Sequence, residues 1–322
     1  MEYELVLIVV GMGTTSFTLV PGFDCPAYAT FLNSTTHDSG TPTLNLGSIC
    51  IFEQDAAYPI FRHTASNYIA STKNNFLTLR SISTMGNYDY LWEIIWTHVC
   101  KPLPDWDRLD YSFYTDGSIQ VEARASGYIR SAYFAKNGEY GYKIHDNLSG
   151  SMHDHVINYK VDFDILGTKN TVATSEFIPT TETYSWSGGR KIKTFKLEKG
   201  WITNEKDGKI DWDPNAAKSY AVVNKEEKNK YGEYRGYKIQ PLTPGVRATV
   251  QESTNLGIAA QWAHHNLYVT KRKDTEPASS HPYASLDVWD PAIRFDKFFD
   301  DESLEQEDLV MCKPPPHSLF SL

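Results

Sequence analysis

Alternation of apolar and polar residues at every second position dominates this chain and predicts β-strands. Residues 119–125 show it most clearly, because apolar and charged side chains alternate directly after the turn pair Asp116-Gly117. Residues 127–134 continue the pattern. Helical signals are limited to short turns near residues 213–219 and 296–306. The pattern therefore predicts an all-β fold.

No linker or internal repeat divides the sequence, so we expect residues 1–322 to form one large β domain. The stretch 182–232 is rich in Lys, Gly and Thr and predicts exposed loops and edge strands. Two stretches depart from the pattern. Residues 97–112 interrupt a predicted hairpin, and residues 311–322 begin an abrupt change to a proline-rich tail. A loop and a frayed terminus are the simplest interpretation of these two stretches.

Composition excludes some partners and leaves others open. The chain has 322 residues, 13% aromatic residues and a formal net charge of −9. Nucleic acid is an unexpected partner, because phosphate binding requires a positive surface. A cationic substrate is compatible with this charge, although many acidic proteins bind no cation.

Cysteine usage and the N-terminus leave the compartment open. Four cysteines without a CxxC pair are too few for a disulfide scaffold. The apolar run 5–10 is too short to span a membrane, and acidic residues precede it, which disfavours a signal peptide. Sequons at Asn33 and Asn147 permit glycosylation if the chain is secreted.

Two histidines and two aspartates stand on opposite faces of a predicted strand over residues 153–165. His153 and His155 share the apolar face, whereas Asp162 and Asp164 share the polar one. Paired imidazoles suit copper, zinc or iron, of which copper binds most tightly, and paired carboxylates suit Ca²⁺. Two hydrogen-bonded core histidines are the structural alternative.

A second predicted strand has a strongly aromatic face. Every second residue from 88 to 96 is Tyr, Trp or Ile. Physical reasoning alone predicts a sheet face that packs into a core. A carbohydrate- or ligand-binding sandwich would use the same aromatic face, but it gives no reason for the neighbouring histidine pair.

The segment Thr84-Met-Gly-Asn87-Tyr88-Asp89-Tyr90 is similar to the Thr-x-x-Asn-Tyr-(Asp/Glu)-Tyr motif of copper amine oxidases. Further segments resemble that family in the same order and with similar spacing between residues 11 and 310. They are 11–13, 19–26, 50–63, 153–164 and 298–309. The resemblance implies the large catalytic β-sandwich of that family.

The resemblance also implies an activity and its residues. Such enzymes convert primary amines and O₂ to aldehyde, ammonia and hydrogen peroxide, and they act as homodimers. Tyr88 would be the precursor of the trihydroxyphenylalanine quinone, and Asn87 would restrain the orientation of its ring. His153 and His155 would bind copper(II).

The same resemblance implies two calcium sites. The first would take the side chains of Asp162, Asp164 and Asp308 and the main-chain carbonyls of Phe163 and Leu309.

The second calcium site would be peripheral. It would use the carbonyl of Phe298 with the carboxylates of Asp300 and Glu302, and Glu205 is a weaker candidate.

The resemblance implies a Cys25–Cys50 disulfide, but three features depart from the family. The position of the proton-abstracting Asp holds Leu7, and the third copper ligand would fall near His317, after three prolines. Smaller preceding domains are also missing. We therefore expect a gene product with misjudged ends in which residues 97–112 are read-through sequence. The alternative function is an inactive relative that binds Ca²⁺ and dimerises.

Overall fold

The computed structural model describes residues 16–38, 41–84, 106–126, 131–136, 138–150, 158–242, 258, 260–281, 287 and 289–313. Within these ranges the regular elements are strands and short 3-10 helices, apart from the single helical residue 258. The prediction of an all-β fold is confirmed. No helix within the described ranges is long and apolar enough to cross a bilayer.

The chain divides into two compact units, residues 1–153 with 319–322 and residues 154–318. The assignment of residues 1–322 to one domain stays a prediction.

The first unit contains a five-stranded antiparallel sheet in the order β1-β2-β3-β4-β5. Its strands are β1 (Thr30–Asp38), β2 (Thr41–Thr64), β3 (Ile69–Thr84), β4 (Trp106–Tyr114) and β5 (Ile119–Ser126). A three-stranded sheet has the order β6-β8-β7, with β6 (Ser131–Tyr133), β7 (Lys143–His145) and β8 (Leu148–Gly150). The turn before β5 closes as predicted, with Tyr114 and Ser118 paired through their backbones.

A buried ion pair joins β3, the central strand of the five-stranded sheet, to its neighbour β4. Arg80 of β3 lies directly opposite Asp110 of β4. Its guanidinium binds the carboxylate through two hydrogen bonds of 2.7 and 2.9 Å, and it also donates to the carbonyl of Asp24. The ring of Phe52 lies 5.1 Å beneath the guanidinium. A paired and hydrogen-bonded charge of this kind tolerates burial, whereas a single charge would not.

Strand β4 corrects the interpretation of residues 97–112 as an interruption. Residues 106–112 pair along their whole length with β3 and with β5. Leu109 and Tyr111 are buried on one face, and Asp110 and Ser112 on the other. The last seven residues of that stretch therefore belong to the sheet and do not interrupt it.

The second unit is built on two four-stranded antiparallel sheets. The first, in the order β11-β10-β13-β14, contains β10 (Thr171–Glu182), β11 (Ile192–Ile202), β13 (Lys218–Lys228) and β14 (Tyr234–Ile239). The second, in the order β12-β15-β16-β9, contains β9 (Tyr159–Phe163), β12 (Lys209–Ile210), β15 (Leu267–Lys271) and β16 (Leu309–Lys313). The larger of two buried clusters in this unit includes Val172, Val222, Leu267, Val269 and Leu309, and the smaller contains Tyr268, Phe295, Val310 and Cys312.

The second unit contains the two predicted helical turns and the start of the stretch 311–322. Residues 213–217 form a hydrogen-bonded turn before β13, and a 3-10 helix spans Phe295–Phe298. The stretch 311–322 does not depart from the fold at its start, because Met311 and Cys312 are buried within β16. The rest of that stretch, after residue 313, lies outside the described residues.

Cys25 and Cys50 form a disulfide, so that prediction is confirmed. Both cysteines are buried with Leu19 and Phe52 in a small cluster. The bond attaches the loop before β1 to β2.

Replacing Cys50 by Ala should lower the free energy of unfolding by about 3 to 4 kcal/mol, because the closed loop of 25 residues no longer restricts the unfolded chain. Guanidinium unfolding measures the change. Cys312→Ala, which removes a buried free thiol, controls for lost volume. An equal loss in both variants would show that the cross-link contributes little.

Candidate metal sites

The pairing of β16 with β9 brings together the residues predicted for the first calcium site. Leu309 lies opposite Phe163, and Val310 lies opposite Asp162. Asp308 directly precedes β16, and Asp164 directly follows β9. One carboxylate oxygen from each of the three aspartates lies within 4.8 Å of the others.

Asn170 fixes the loop that follows β9. Its side-chain amide donates to the carbonyls of Phe163 and Gly167, at 3.2 and 2.8 Å. Its backbone exchanges two hydrogen bonds with Glu307, the residue before Asp308. Asn170 is fully buried. These four bonds hold the end of β9 against the start of β16, and so they set the spacing of the carboxylates.

Charge at this cluster is only partly balanced by protein groups. Arg272 donates to Asp162 at 3.0 Å. Burial raises the pKa of the Asp308 carboxyl, and the negative charge of Asp162 raises it further. Oδ1 of Asp308 is buried without a hydrogen-bond partner among the described residues. An unpaired buried carboxylate oxygen beside two further carboxylates fits a hard divalent cation such as Ca²⁺.

A second acidic cluster contains Glu205, Asp300 and Glu302, whose ligand atoms also lie within 4.8 Å of one another. Glu205 begins the 3-10 helix Glu205–Gly208, and it is fully buried. Its carboxylate accepts hydrogen bonds from the backbone N–H groups of Lys271, Asp300 and Glu302, at N···O distances of 3.0, 3.1 and 3.3 Å. Burial raises the pKa of Glu205, and these three donors oppose the rise. Glu205, the weaker candidate from the sequence, therefore lies at the centre of the cluster.

The other predicted site residues cannot be placed. Leu7, His317 and the four residues assigned to copper and quinone lie outside the described residues. Those four are Asn87, Tyr88, His153 and His155.

Sequence analysis missed the groups that surround the carboxylates. Arg272 and Lys273 belong to a basic run that begins at Lys271, the last residue of β15. Lys271 pairs with Glu307 at 3.0 Å. A block of three cations in an acidic chain was a usable signal. Asn170 gave no signal, because a buried Asn looks like a loop Asn in sequence.

Comparison with known proteins agrees with this geometry. A family model described as the copper amine oxidase enzyme domain matches residues 7–312. Copper amine oxidase vicK1 of Bipolaris victoriae is 46% identical over 303 residues, which cover 94% of this chain and 40% of that protein. A copper-containing diamine oxidase of Sus scrofa is 31% identical over 316 residues, covering 93% of this chain and 38% of that protein.

Solved structures give the same result. The amine oxidase of Aspergillus nidulans superposes with a TM-score of 0.85 at 42% identity, covering 95% of this chain and 39% of that one. The lysyl oxidase of Pichia pastoris superposes with a TM-score of 0.85 at 35% identity, covering 95% and 40%.

The fold and the match define an enzyme domain of the all-β class. The chain belongs to the copper amine oxidase family. It spans about 40% of the length of the relatives it matches.

Asp308→Asn should raise the melting temperature in chelator by about 2 to 4 °C, because it removes one of three converging charges. In dilute CaCl₂ that fills only the first cluster, the wild-type chain should become more stable and the variant should not. Differential scanning calorimetry measures both effects. Asp146→Asn, at a carboxylate that is 90% exposed, is the control. A response of Asp308→Asn at the same dilute CaCl₂ that equals that of the wild type would contradict the assignment.

Proposed function

We propose that the protein oxidises primary amines with O₂, using copper(II) and a trihydroxyphenylalanine quinone derived from Tyr88. The overall conversion takes one amine, one O₂ and one water to one aldehyde, one ammonia and one hydrogen peroxide. The observation that carries this proposal is the family match over residues 7–312, which spans both the Tyr88 motif and the histidine pair. Copper and quinone, when present, supply the electrophilic carbonyl and the capacity for two-electron redox chemistry.

The residues of this chain serve that chemistry by holding its components. His153 and His155 are the proposed copper ligands, as neutral imidazoles suited to that metal. Asn87 precedes Tyr88 and is proposed to restrain the ring. The support for these roles is the motif Thr84-Met-Gly-Asn87-Tyr88-Asp89-Tyr90 and its spacing from the histidine pair.

Calcium is proposed to bind at Asp162, Asp164 and Asp308 with the carbonyls of Phe163 and Leu309. Support comes from the convergence of the three carboxylates and from the unpartnered Oδ1 of Asp308. The ion would neutralise charges that the fold brings together and would stabilise the pairing of β9 with β16.

Phenylhydrazine should form a coloured adduct with the chain after it is loaded with copper under air, because the reagent attacks the quinone carbonyl. Tyr88→Phe should abolish the adduct, since the phenol that is oxidised is gone. Tyr231→Phe, at a tyrosine that is 78% exposed, should leave it unchanged. Absorbance spectra taken with and without copper make the comparison.

Two outcomes would change the proposal. An adduct that persists in Tyr88→Phe would place the carbonyl elsewhere. Lack of an adduct in the copper-loaded wild type would favour the alternative, an inactive relative that binds Ca²⁺.

The partner proposed for this chain is a second copy of itself, as the family resemblance implies. Support comes from the hairpin formed by β10 and β11, which exposes apolar side chains to solvent. Phe177 and Phe195 contact each other edge to face with ring centroids 5.8 Å apart, yet they are 53% and 67% exposed. Neighbouring exposed aromatic rings are typical of a surface that another protein covers.

Phe195→Glu should shift the chain from dimer to monomer, because a charge would be placed in the proposed apolar contact. Tyr231→Glu makes the same change of charge at an exposed aromatic residue outside this hairpin and is the control for added negative charge. Sedimentation velocity over a range of concentrations measures the shift. Equal behaviour of wild type and Phe195→Glu would rule out this hairpin as the contact.

A further inference from the structure

Lys273 places a positive charge among the carboxylates of the second acidic cluster. Its Nζ lies 2.6 Å from Oε2 of Glu302 and 2.9 Å from Oδ2 of Asp300. Glu276 contributes a third carboxylate oxygen at 3.6 Å. The Lys273 side chain is only 22% exposed. The Lys273 ammonium is half-buried among three carboxylates. It therefore lies where a bound cation would lie and carries a charge of the same sign.

The two acidic clusters differ in this respect. At the first cluster Arg272 pairs with Asp162, and Oδ1 of Asp308 has no hydrogen-bond partner among the described residues. Oε2 of Glu302 in the second cluster also lacks a hydrogen bond of good geometry there, but the Lys273 ammonium lies 2.6 Å from it. At the second cluster Lys273 contacts two of the three clustered carboxylates directly. The first cluster therefore lacks an internal cation, whereas the second contains one.

The third carboxylate of the second cluster is already engaged. Both oxygens of Glu205 accept backbone N–H groups, one on Oε1 and two on Oε2. A metal ion at this position would compete with those donors for the same oxygen lone pairs. It would also have to displace the Lys273 ammonium, because the two positive charges cannot share the carboxylates of Asp300 and Glu302.

We propose that the Lys273 ammonium is the resident cation of the second cluster, and that a divalent cation binds there only by displacing it. Lysine suits this role because its charge ends a flexible four-carbon stem that can swing into solvent. The second cluster then binds Ca²⁺ more weakly than the first, because only the fraction of molecules with Lys273 displaced is competent. This inference rests on the calcium proposal made above.

Calcium titration of the chelator-treated chain by calorimetry tests the idea. The wild type should show one tight class of site and a second that is weaker by about tenfold or more. Lys273→Met keeps the length of the stem and removes the charge, so the second class should tighten by about tenfold or more. Lys206→Met is the matched control, because Lys206 pairs with the neighbouring Asp301 and does not contact the cluster carboxylates. That variant should titrate like the wild type.

Two further variants assign the classes. Asp308→Asn should remove the tight class only, and Glu302→Gln should remove the weak class only. If Asp308→Asn retains both classes, the proposed first site fails while the test of Lys273 still stands. Metal content after gel filtration gives a count that is independent of heat signals.

Three results would overturn the role of Lys273. The first is an isotherm of Lys273→Met identical to that of the wild type. The second is an equal gain in calcium affinity of the weak class in Lys206→Met, which would show that the gain follows from losing any nearby positive charge. The third is equal affinity of both classes in the wild type, which needs no variant and so remains decisive if Lys273→Met fails to fold.

Discussion

Repulsion between converging carboxylates is the constraint on which the second unit depends. The register of β9 against β16 places Asp162, Asp164 and Asp308 together although each carries the same charge. Like charges at such distances oppose folding unless a cation or a proton compensates them. The apolar cluster around Leu309 and Val269 fixes the strand pairing, so the strands cannot separate to relieve the repulsion. Compensation must therefore come from outside the three aspartates.

Three buried or half-buried acidic groups are compensated in three different ways. Asp110 receives a bidentate guanidinium from the strand beside it. Glu205, in the second acidic cluster, accepts hydrogen bonds from three backbone N–H groups. Asp308 retains an oxygen that accepts no hydrogen bond from the part of the chain that the structure describes. Protein groups compensate the charge of Asp110 fully, whereas the charge of Asp308 requires an ion from outside the protein. This difference separates a structural carboxylate from one at a candidate binding site.

The sequence predicted local elements well where alternation was strong, as in β5. It also predicted Asp162 and Asp164 on one face of a strand over residues 153–165, and within that range β9 spans Tyr159–Phe163 and Asp164 directly follows it. Periodicity could not bring Asp308 to them, because strand partners more than 140 residues apart leave no local signal. Only the resemblance to a family supplied that residue. Strand β4 was missed because residues 97–112 were taken together as an interruption, and the pairing of residues 106–112 with β3 leaves no local signal. Lys273 was missed for a similar reason, because its ion pairs with Asp300 and Glu302 join two segments that are far apart in the sequence.

The carboxylate of Glu205 has a consequence for the motions of the native state. It ties the amides of Lys271, Asp300 and Glu302, which belong to two segments well separated in sequence. Opening either segment would remove hydrogen-bond donors from the fully buried carboxylate of Glu205. Local opening of one segment alone is therefore unfavourable. Amide hydrogens of both segments should then exchange with solvent in one cooperative event rather than by independent fraying. A loop region without regular secondary structure thus acquires the slow exchange that is usual for a sheet interior.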